Sequence, residues 1–220
     1  MTKIKHLKEL TDLKKPFIIY KSDKGFDLYT DFSKKVILTN NNIKKFINKV
    51  TKYKFKKKKT DIFLGFFGYE ILNNLIGVKV KKQKDLKFPK GIFYKPETKI
   101  TFPNKLIYKG LVPTKFNHSF KINIDKNSYK IIFDKFKKKI KSGETYQIKI
   151  CTKYKTSSKI NVLDFFCRLS KTNLAPEAFM IKDKDYSIIS CSPENLITKK
   201  GSLITTKPIA GTVKKNKFHK

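Results

Sequence analysis

Arginine is almost missing from this chain of 220 residues, and other absences exclude several classes of protein. All but one of the 52 basic residues are lysine, the exception being Arg168. No run of about eighteen apolar residues occurs, so no membrane-spanning helix is expected. The first thirteen residues are rich in lysine without an apolar run or a cleavage signature, unlike a secretory signal. We therefore expect a cytoplasmic protein with no membrane partner.

Cysteine and histidine are also scarce. The three cysteines are Cys151, Cys167 and Cys191, and only three histidines accompany them. No Cys-x-x-Cys pair occurs, although tetrahedral zinc sites draw their ligands from closely spaced pairs. An odd number of separated cysteines favours reduced, buried thiols over a disulfide or a zinc site.

Acidic residues are few, and the formal net charge is +35. Such a charge is typical of proteins that bind nucleic acids. Base readout and bidentate phosphate contacts favour the planar fork of arginine, which this chain nearly lacks. We therefore expect a solvated coat of lysines and no specific nucleic-acid partner. The lysine-rich segment 54–59 is the alternative, a positive patch that would steer an anionic substrate.

The first half of the chain reads as a mixture of strands and helices. Apolar runs predict strands at 16–20, 36–38 and 62–67. The asparagines at 40–42 offer helix caps, and the helical spacing of Ile43, Phe46, Ile47 and Val50 predicts an apolar helix face. A second helix is predicted at 71–76. A turn around Pro96 predicts a hairpin of strands 91–94 and 99–102.

The second half alternates helices with hairpins. Asp125 is predicted to cap a helix that ends at Gly143. Strand 146–154 follows, and Asn161 is predicted to cap another helix. Two hairpins complete the pattern, with strands at 178–181 and 186–190 and at 195–198 and 203–207. This order favours an α+β fold with antiparallel sheets and flanking helices. A boundary near residues 117–124 predicts domains 1–120 and 121–220.

Four short blocks follow one another in the last third of the chain. They are Ser-Gly-Glu-Thr-Tyr-Gln at 142–147, Asn-Leu-Ala-Pro at 173–176, Ser-Pro-Glu at 192–194 and Pro-Ile-Ala-Gly-Thr at 208–212. Singly, such strings are ordinary turns. In this order the chain resembles the chorismate-utilising enzymes, specifically component I of anthranilate synthase and of aminodeoxychorismate synthase. The resemblance implies an anthranilate synthase component I-like, chorismate-binding architecture.

The resemblance also implies which residues bind the substrate. Its substrate-binding positions match Gln147, Ser192, Ala210, Gly211 and Thr212. Ser-Pro-Glu has an alternative reading as a plain turn between strands, in which proline fixes φ. The family's catalytic domain extends well past Thr212 and carries its magnesium-ligating glutamates and catalytic histidine there. We therefore expect a C-terminally truncated chain, in which 121–220 is an incomplete catalytic domain without metal ligands.

Three positions separate the branches of the family. The water-adding relatives have a lysine general base at the position of Gln147 and a glutamate acid at the position of Lys207. Glutamine cannot accept a proton at neutral pH, so these differences favour ammonia as the nucleophile. Many aminodeoxychorismate synthases have a nucleophilic lysine at the position of Ala210, so the alanine favours anthranilate synthase.

The blocks that form the tryptophan-feedback site of anthranilate synthases are altered. Their counterparts are residues 18–21 and 173–177, where Lys21, Leu174 and Glu177 replace a serine, a proline and an aromatic residue. We therefore expect weak feedback inhibition or none.

The resemblance implies magnesium-dependent conversion of chorismate and ammonia to anthranilate and pyruvate. A glutamine amidotransferase subunit, component II, would supply the ammonia. One alternative is aminodeoxychorismate synthase component I, which would serve folate synthesis. Another is a non-catalytic remnant that still docks the amidotransferase. A third, supported by charge alone, is a basic RNA-associated protein, whose binding would collapse as salt rises.

Overall fold

The computed structural model describes residues 15–54, 58–78, 88–103, 119–158 and 160–209. The strands in these residues are β1 Phe17–Ser22, β2 Gly25–Ile37, β3 Leu64–Phe67, β4 Gly91–Pro103, β5 Lys121–Ile122, β6 Tyr154–Lys155, β7 Glu177–Lys182, β8 Ser187–Ser192, β9 Asn195–Lys200 and β10 Leu203–Lys207. The helices are α1 Ile43–Thr51, α2 Tyr69–Leu75, α3 Lys126–Lys141 and α4 Val162–Thr172. The chain divides into two compact units, one of Met1–Gly110 with Phe166–Lys220 and one of Leu111–Phe165.

Six strands of the first unit form an antiparallel sheet in the order β3-β4-β2-β1-β7-β8. Ile18 of β1 lies opposite Tyr29 of β2 on one side and opposite Ile181 of β7 on the other. Antiparallel sheets with flanking helices agree with the predicted α+β class. The sheet joins strands from both sides of residue 120, and the domain boundary predicted there stays a prediction.

Side chains of alternate residues point to opposite faces of this sheet, and each face buries apolar residues. One face carries the cluster of Ile18, Tyr29, Ile92, Tyr94 and Ile181. On the other face, Ile19, Leu28 and Met180 are fully buried. Phe26 on that face meets Phe166 of α4 edge-on at 5.9 Å. Each such side chain contributes about 1.5–3 kcal/mol through burial, so these rows hold the sheet and α4 together.

Helix α1 packs its predicted apolar face into a second cluster. Ile43 and Phe46 are buried there with Leu38 and Ile71 of α2. Asn42 occupies the N-cap position, as predicted, but its side chain makes no capping bond to the helix. Its side-chain amide instead bonds to the preceding loop, donating to the Ile37 carbonyl at 2.9 Å and accepting from the Thr39 amide.

The predicted hairpin around Pro96 is wrong, because β4 is one continuous strand of 13 residues. Pro96 lies opposite Phe32 of β2, and the register of the two strands shifts between Phe32 and Lys34. Proline has no amide proton to give to a ladder and is tolerated beside bulges. The irregularity in β2 therefore lets β4 continue where the sequence suggested a turn.

Both ends of α3, in the second unit, form as predicted. The Asp125 carboxylate accepts hydrogen bonds from two amides of the first turn, both at 2.9 Å. Gly143 has φ of 77°, the left-handed conformation that glycine adopts at helix ends. The Gly143 amide donates to the Ile140 carbonyl and the Glu144 amide to the Lys139 carbonyl, at 3.1 and 3.0 Å. This paired closure terminates the helix.

The strand predicted at 146–154 is mostly wrong. Only Tyr154–Lys155 is extended and paired, with Lys121–Ile122, and 146–153 is irregular. A strand needs a neighbour to satisfy its backbone amides and carbonyls. Among the described residues, no strand pairs with 146–153. The alternation of apolar residues there indicated a sheet face without identifying a partner strand.

The later elements follow the prediction closely. Asn161 caps α4 by accepting the Asp164 amide at 3.0 Å. The hairpins β7–β8 and β9–β10 form across the predicted turns, with Gly201 at φ 61° in the second. None of the helices that the structure describes is both long and apolar enough to cross a membrane.

The three cysteines are free, but they are not all buried. Cys167 is buried and Cys191 is partly buried, as expected of structural thiols. Cys151 is exposed, because it lies in the irregular segment that was predicted to be a strand. Residues 55–57 of the lysine-rich segment 54–59 lie outside the described residues.

Candidate functional site

The Ser-Pro-Glu block forms the turn between β8 and β9. The Ser192 hydroxyl donates to the Glu194 carbonyl at 2.9 Å and accepts the Glu194 amide at 3.2 Å. Proline fixes the backbone between them. The block therefore forms the turn that the alternative interpretation predicted, and the Ser192 hydroxyl makes its hydrogen bonds within that turn.

A cavity of about 720 Å³ opens beside this turn, within the first unit. Its lining includes Pro193 from the Ser-Pro-Glu block, Asn195 at the start of β9, and Pro208 and Ile209 from the next block. The Ile209 amide donates to the Glu194 carboxylate at 3.4 Å. The volume lies in the range of small-molecule sites, roughly 300–1,000 Å³. The structure thus brings together two blocks that lie about fifteen residues apart in sequence.

Glu177 is a polar residue of the cavity lining whose two carboxylate oxygens both accept hydrogen bonds. Its Oε1 accepts from the Asn195 amide at 2.8 Å, and its Oε2 accepts from the Tyr20 hydroxyl at 2.5 Å. Burial, together with the neighbouring Glu177 carboxylate, raises the pKa of Tyr20, so the tyrosine stays a neutral donor. These bonds fix the carboxylate at the cavity wall, where it adds negative charge.

The segment 173–177 is also tied to β1 by a lysine. The Lys21 ammonium donates to the Ala175 carbonyl at 2.7 Å. Asn173 is anchored on the other side, where its amide donates to the Cys191 carbonyl at 3.4 Å. The segments 18–21 and 173–177 are therefore in direct contact, through Lys21 with Ala175 and through Tyr20 with Glu177.

The sequence-predicted site residues fall in three groups. Ser192 belongs to the turn beside the cavity. Gln147 lies in the second unit, where it is exposed in the irregular segment, and its backbone carbonyl accepts from Thr145 at 3.2 Å. Residues 210–212, with Ala210, Gly211 and Thr212, lie outside the described residues.

Sequence reasoning identified the turn but missed the polar contacts on the cavity wall. Tyr20 and Glu177 are separated by 157 positions, and only the pairing of β1 with β7 brings them together. The available signal was a tyrosine that ends an apolar strand and a glutamate that opens another. Neither residue type indicates its partner.

Magnesium prefers several oxygen ligands at once. Among the described residues, no three side chains of His, Cys, Asp or Glu come close enough together to hold a metal ion. A magnesium site built on the described residues would therefore draw at most two such side chains from this part of the chain.

The amino-acid sequence of this chain is similar to those of several curated proteins. An anthranilate synthase component I-like protein of Synechocystis is 27% identical over 175 residues, which cover 68% of this chain and 36% of that protein. Anthranilate synthase component 1 of Buchnera aphidicola is 26% identical over 190 residues, which cover 70% and 36%. Aminodeoxychorismate synthase component 1 of Bacillus subtilis is 30% identical over 99 residues, which cover 45% and 21%.

The chain spans about a third of the length of the Synechocystis and Buchnera proteins and about a fifth of the length of the Bacillus protein. A family model described as chorismate binding enzyme matches residues 11–220, which is nearly the whole chain. This match covers the Ser-Pro-Glu turn, the cavity beside it and all four sequence blocks. The chain belongs to the chorismate binding enzyme family.

Proposed function

We propose that this chain supplies the N-terminal part of an anthranilate synthase component I. The complete enzyme would add ammonia to chorismate, release the ring hydroxyl and eliminate pyruvate to give anthranilate. The observation that carries the proposal is the cavity shared by the Ser-Pro-Glu turn and Pro208-Ile209. In this proposal Ser192 and Gln147, with residues 210–212, contact the substrate.

Gln147 supports ammonia as the nucleophile. A neutral amide cannot take a proton from water at neutral pH, so hydrolytic attack lacks its base. Lys207, the last residue of β10, is exposed and carries an ammonium where the water-adding branch has a carboxylic acid. Ammonia is itself nucleophilic and needs no such base. Ala210 adds support for anthranilate, because alanine cannot form a covalent bond to the ring.

Magnesium and the amidotransferase belong to the proposal as partners of the complete enzyme. When bound, magnesium would neutralise and orient a carboxylate of chorismate. Its ligands are proposed to come from the part of the catalytic domain that the longer relatives have beyond the matched segment. In this proposal the chain forms one wall of the substrate site. It also places the neutral Gln147 where a general base would otherwise activate water.

Aminodeoxychorismate synthase component I is the second candidate. The Bacillus subtilis relative of that name shares 30% identity over its matched segment, slightly more than the two longer matches do. A non-catalytic remnant that docks the amidotransferase is the candidate from another class. Binding of component II without any turnover in a completed protein would favour the remnant.

The test joins this chain to the remaining catalytic part of the Synechocystis relative. With chorismate, magnesium and ammonium, we expect anthranilate and little isochorismate or salicylate. The double variant Gln147→Lys with Lys207→Glu should shift product toward isochorismate, because it introduces a base and an acid able to use water. Lys149→Gln is the control on the same segment and should leave the product unchanged. Isochorismate as the main product of the unmodified protein would overturn the proposal.

A further inference from the structure

A second, smaller cavity lies between α1, the strand β2 and Phe63, which directly precedes β3. Its volume is about 160 Å³, and it shares no lining residue with the cavity at the Ser-Pro-Glu turn. Its floor is apolar and consists of Val36, Phe46, Val50 and Phe63. The Phe46 and Phe63 rings meet edge-on at 6.0 Å, so the floor is a fixed aromatic surface.

Lysines converge on the rim of this cavity from two different elements. Lys34 comes from β2, and Lys45 and Lys49 come from α1. Lys34 and Lys49 both line the cavity, and the neighbouring Lys49 ammonium lowers the pKa of Lys34. Among the described residues, the ion pairs of the first unit involve other lysines, at positions 35, 95 and 99. Within the part of the chain that the structure describes, the rim therefore gathers like charges and forms no ion pair with a carboxylate.

Asn42, the remaining polar residue of the rim, uses its side chain in hydrogen bonds to the backbone of this chain. Its amide nitrogen donates to the Ile37 carbonyl, and its oxygen accepts from the Thr39 amide. These bonds fix the edge of the cavity at the start of α1. Polar recognition of a ligand is thus left to the ammonium groups, which accept no hydrogen bonds and select for an anion.

We propose that this groove binds a small aromatic carboxylate, with its ring on Phe46 and Phe63 and its carboxylate between Lys34 and Lys49. A ligand carboxylate would neutralise two ammonium groups that otherwise repel each other. The size of the cavity sets the size of the ligand, since a cavity of about 150 Å³ accommodates one benzene ring.

Benzoate is the probe, titrated into the chain at low salt and followed by amide chemical shifts in NMR. We expect saturable binding, with shifts at residues 34–36 and along α1. Benzamide, which has the ring without the charge, and acetate, which has the charge without the ring, should each bind several-fold more weakly. The benzoate affinity should fall as salt rises, because exposed charges are screened.

Two double variants separate a specific site from the general lysine coat. Lys34→Gln with Lys49→Gln should weaken benzoate binding by roughly 3- to 20-fold, as expected for the loss of two exposed ion pairs. Lys44→Gln with Lys52→Gln removes the same charge from exposed positions that do not line the cavity, and should change the affinity less than twofold.

Several results would overturn the proposal. Equal binding of benzamide would show an apolar pocket without a role for the lysines. Equal binding of acetate would show an anion site without a role for the ring. An equal loss in the control variant, or shifts confined to residues away from the groove, would assign benzoate to the lysine coat.

Discussion

The Asp183→Asn substitution is expected to destabilise the first unit, because Asp183 gathers three donors at the end of β7. One carboxylate oxygen accepts from the Tyr94 hydroxyl at 2.5 Å and the Lys35 ammonium at 2.7 Å. The other accepts from the Lys184 amide at 2.7 Å. Asp183 is 4% exposed and Tyr94 is 1% exposed. Asparagine has one acceptor fewer and presents two donors to this site.

The magnitude follows from these contacts. A buried hydrogen bond to a charged group contributes about 1.5–3 kcal/mol, and a donor left without an acceptor is costly. The Lys35 side chain keeps 44% of its surface exposed, so its ion pair adds at most about 1 kcal/mol. We expect a loss of about 2–3 kcal/mol in the free energy of unfolding. For a chain of this size that lowers the melting temperature by roughly 4–12 °C.

The loss should depend on pH in a defined direction. Burial raises the pKa of Asp183, but the bonds from Lys35 and Tyr94 outweigh it and hold the pKa below its ordinary value of 3.8. A depressed pKa in the folded state stabilises the protein above the unfolded value, and this stabilisation disappears as pH falls through the folded value. The difference between wild type and variant should therefore be full at pH 5–7 and narrow below about pH 3.8.

The assay is urea unfolding followed by circular dichroism at pH 7, repeated at pH 5 and pH 3. Asp185→Asn is the matched control. Asp185 lies in the same turn and is exposed, and its substitution removes the same charge. Its stability should stay within about 0.5 kcal/mol of wild type, as for most surface changes. Equal stability of the two variants at pH 7, or a difference that does not narrow on acidification, would refute the reasoning.

Three further predictions concern other parts of the chain. Asp125→Ala should cost α3 about 1 kcal/mol and speed hydrogen exchange in its first turn, because two amides lose their acceptor; unchanged exchange would contradict this. Gly143→Ala should cost about 1–2 kcal/mol by thermal melting through backbone strain alone, since φ is 77° and a methyl group meets no atom within 4 Å; an unchanged melt would exclude that strain. Tryptophan should inhibit the completed enzyme weakly, because Lys21 and Glu177, at positions that the resemblance assigns to the feedback blocks, bond to the chain itself; potent inhibition in a tryptophan titration would show that a feedback pocket survives.

Local signals in the sequence predicted the elements whose ends are determined by local chemistry. Asp125 and Asn161 cap their helices with their own side chains, and Gly143 and Gly201 adopt the left-handed backbone that ends a helix or a turn. Each of these features depends on residues within about five positions. Their residue types therefore indicate them directly.

The failures arose where distant partners decide the structure. Pro96 suggested a turn, but the irregularity near Phe32 of β2 accommodates it. The apolar alternation at 146–154 suggested a strand, but a strand forms only beside another strand. The contact of Tyr20 with Glu177 spans 157 positions and cannot be read from either segment alone. The sequence therefore indicated the motifs of the candidate site. The polar contacts on the cavity wall could be identified only once the pairing of the strands was known.

The most direct test of the central claim is the identity of the product that the completed protein forms from chorismate and ammonium. Chromatography with absorbance and mass detection separates and identifies anthranilate, aminodeoxychorismate and isochorismate, and omission of ammonium provides the blank. Ammonium-dependent anthranilate as the main product is the expected result. Aminodeoxychorismate as the main product, or a folded protein that binds component II and converts no chorismate, would contradict the assignment to anthranilate synthase component I.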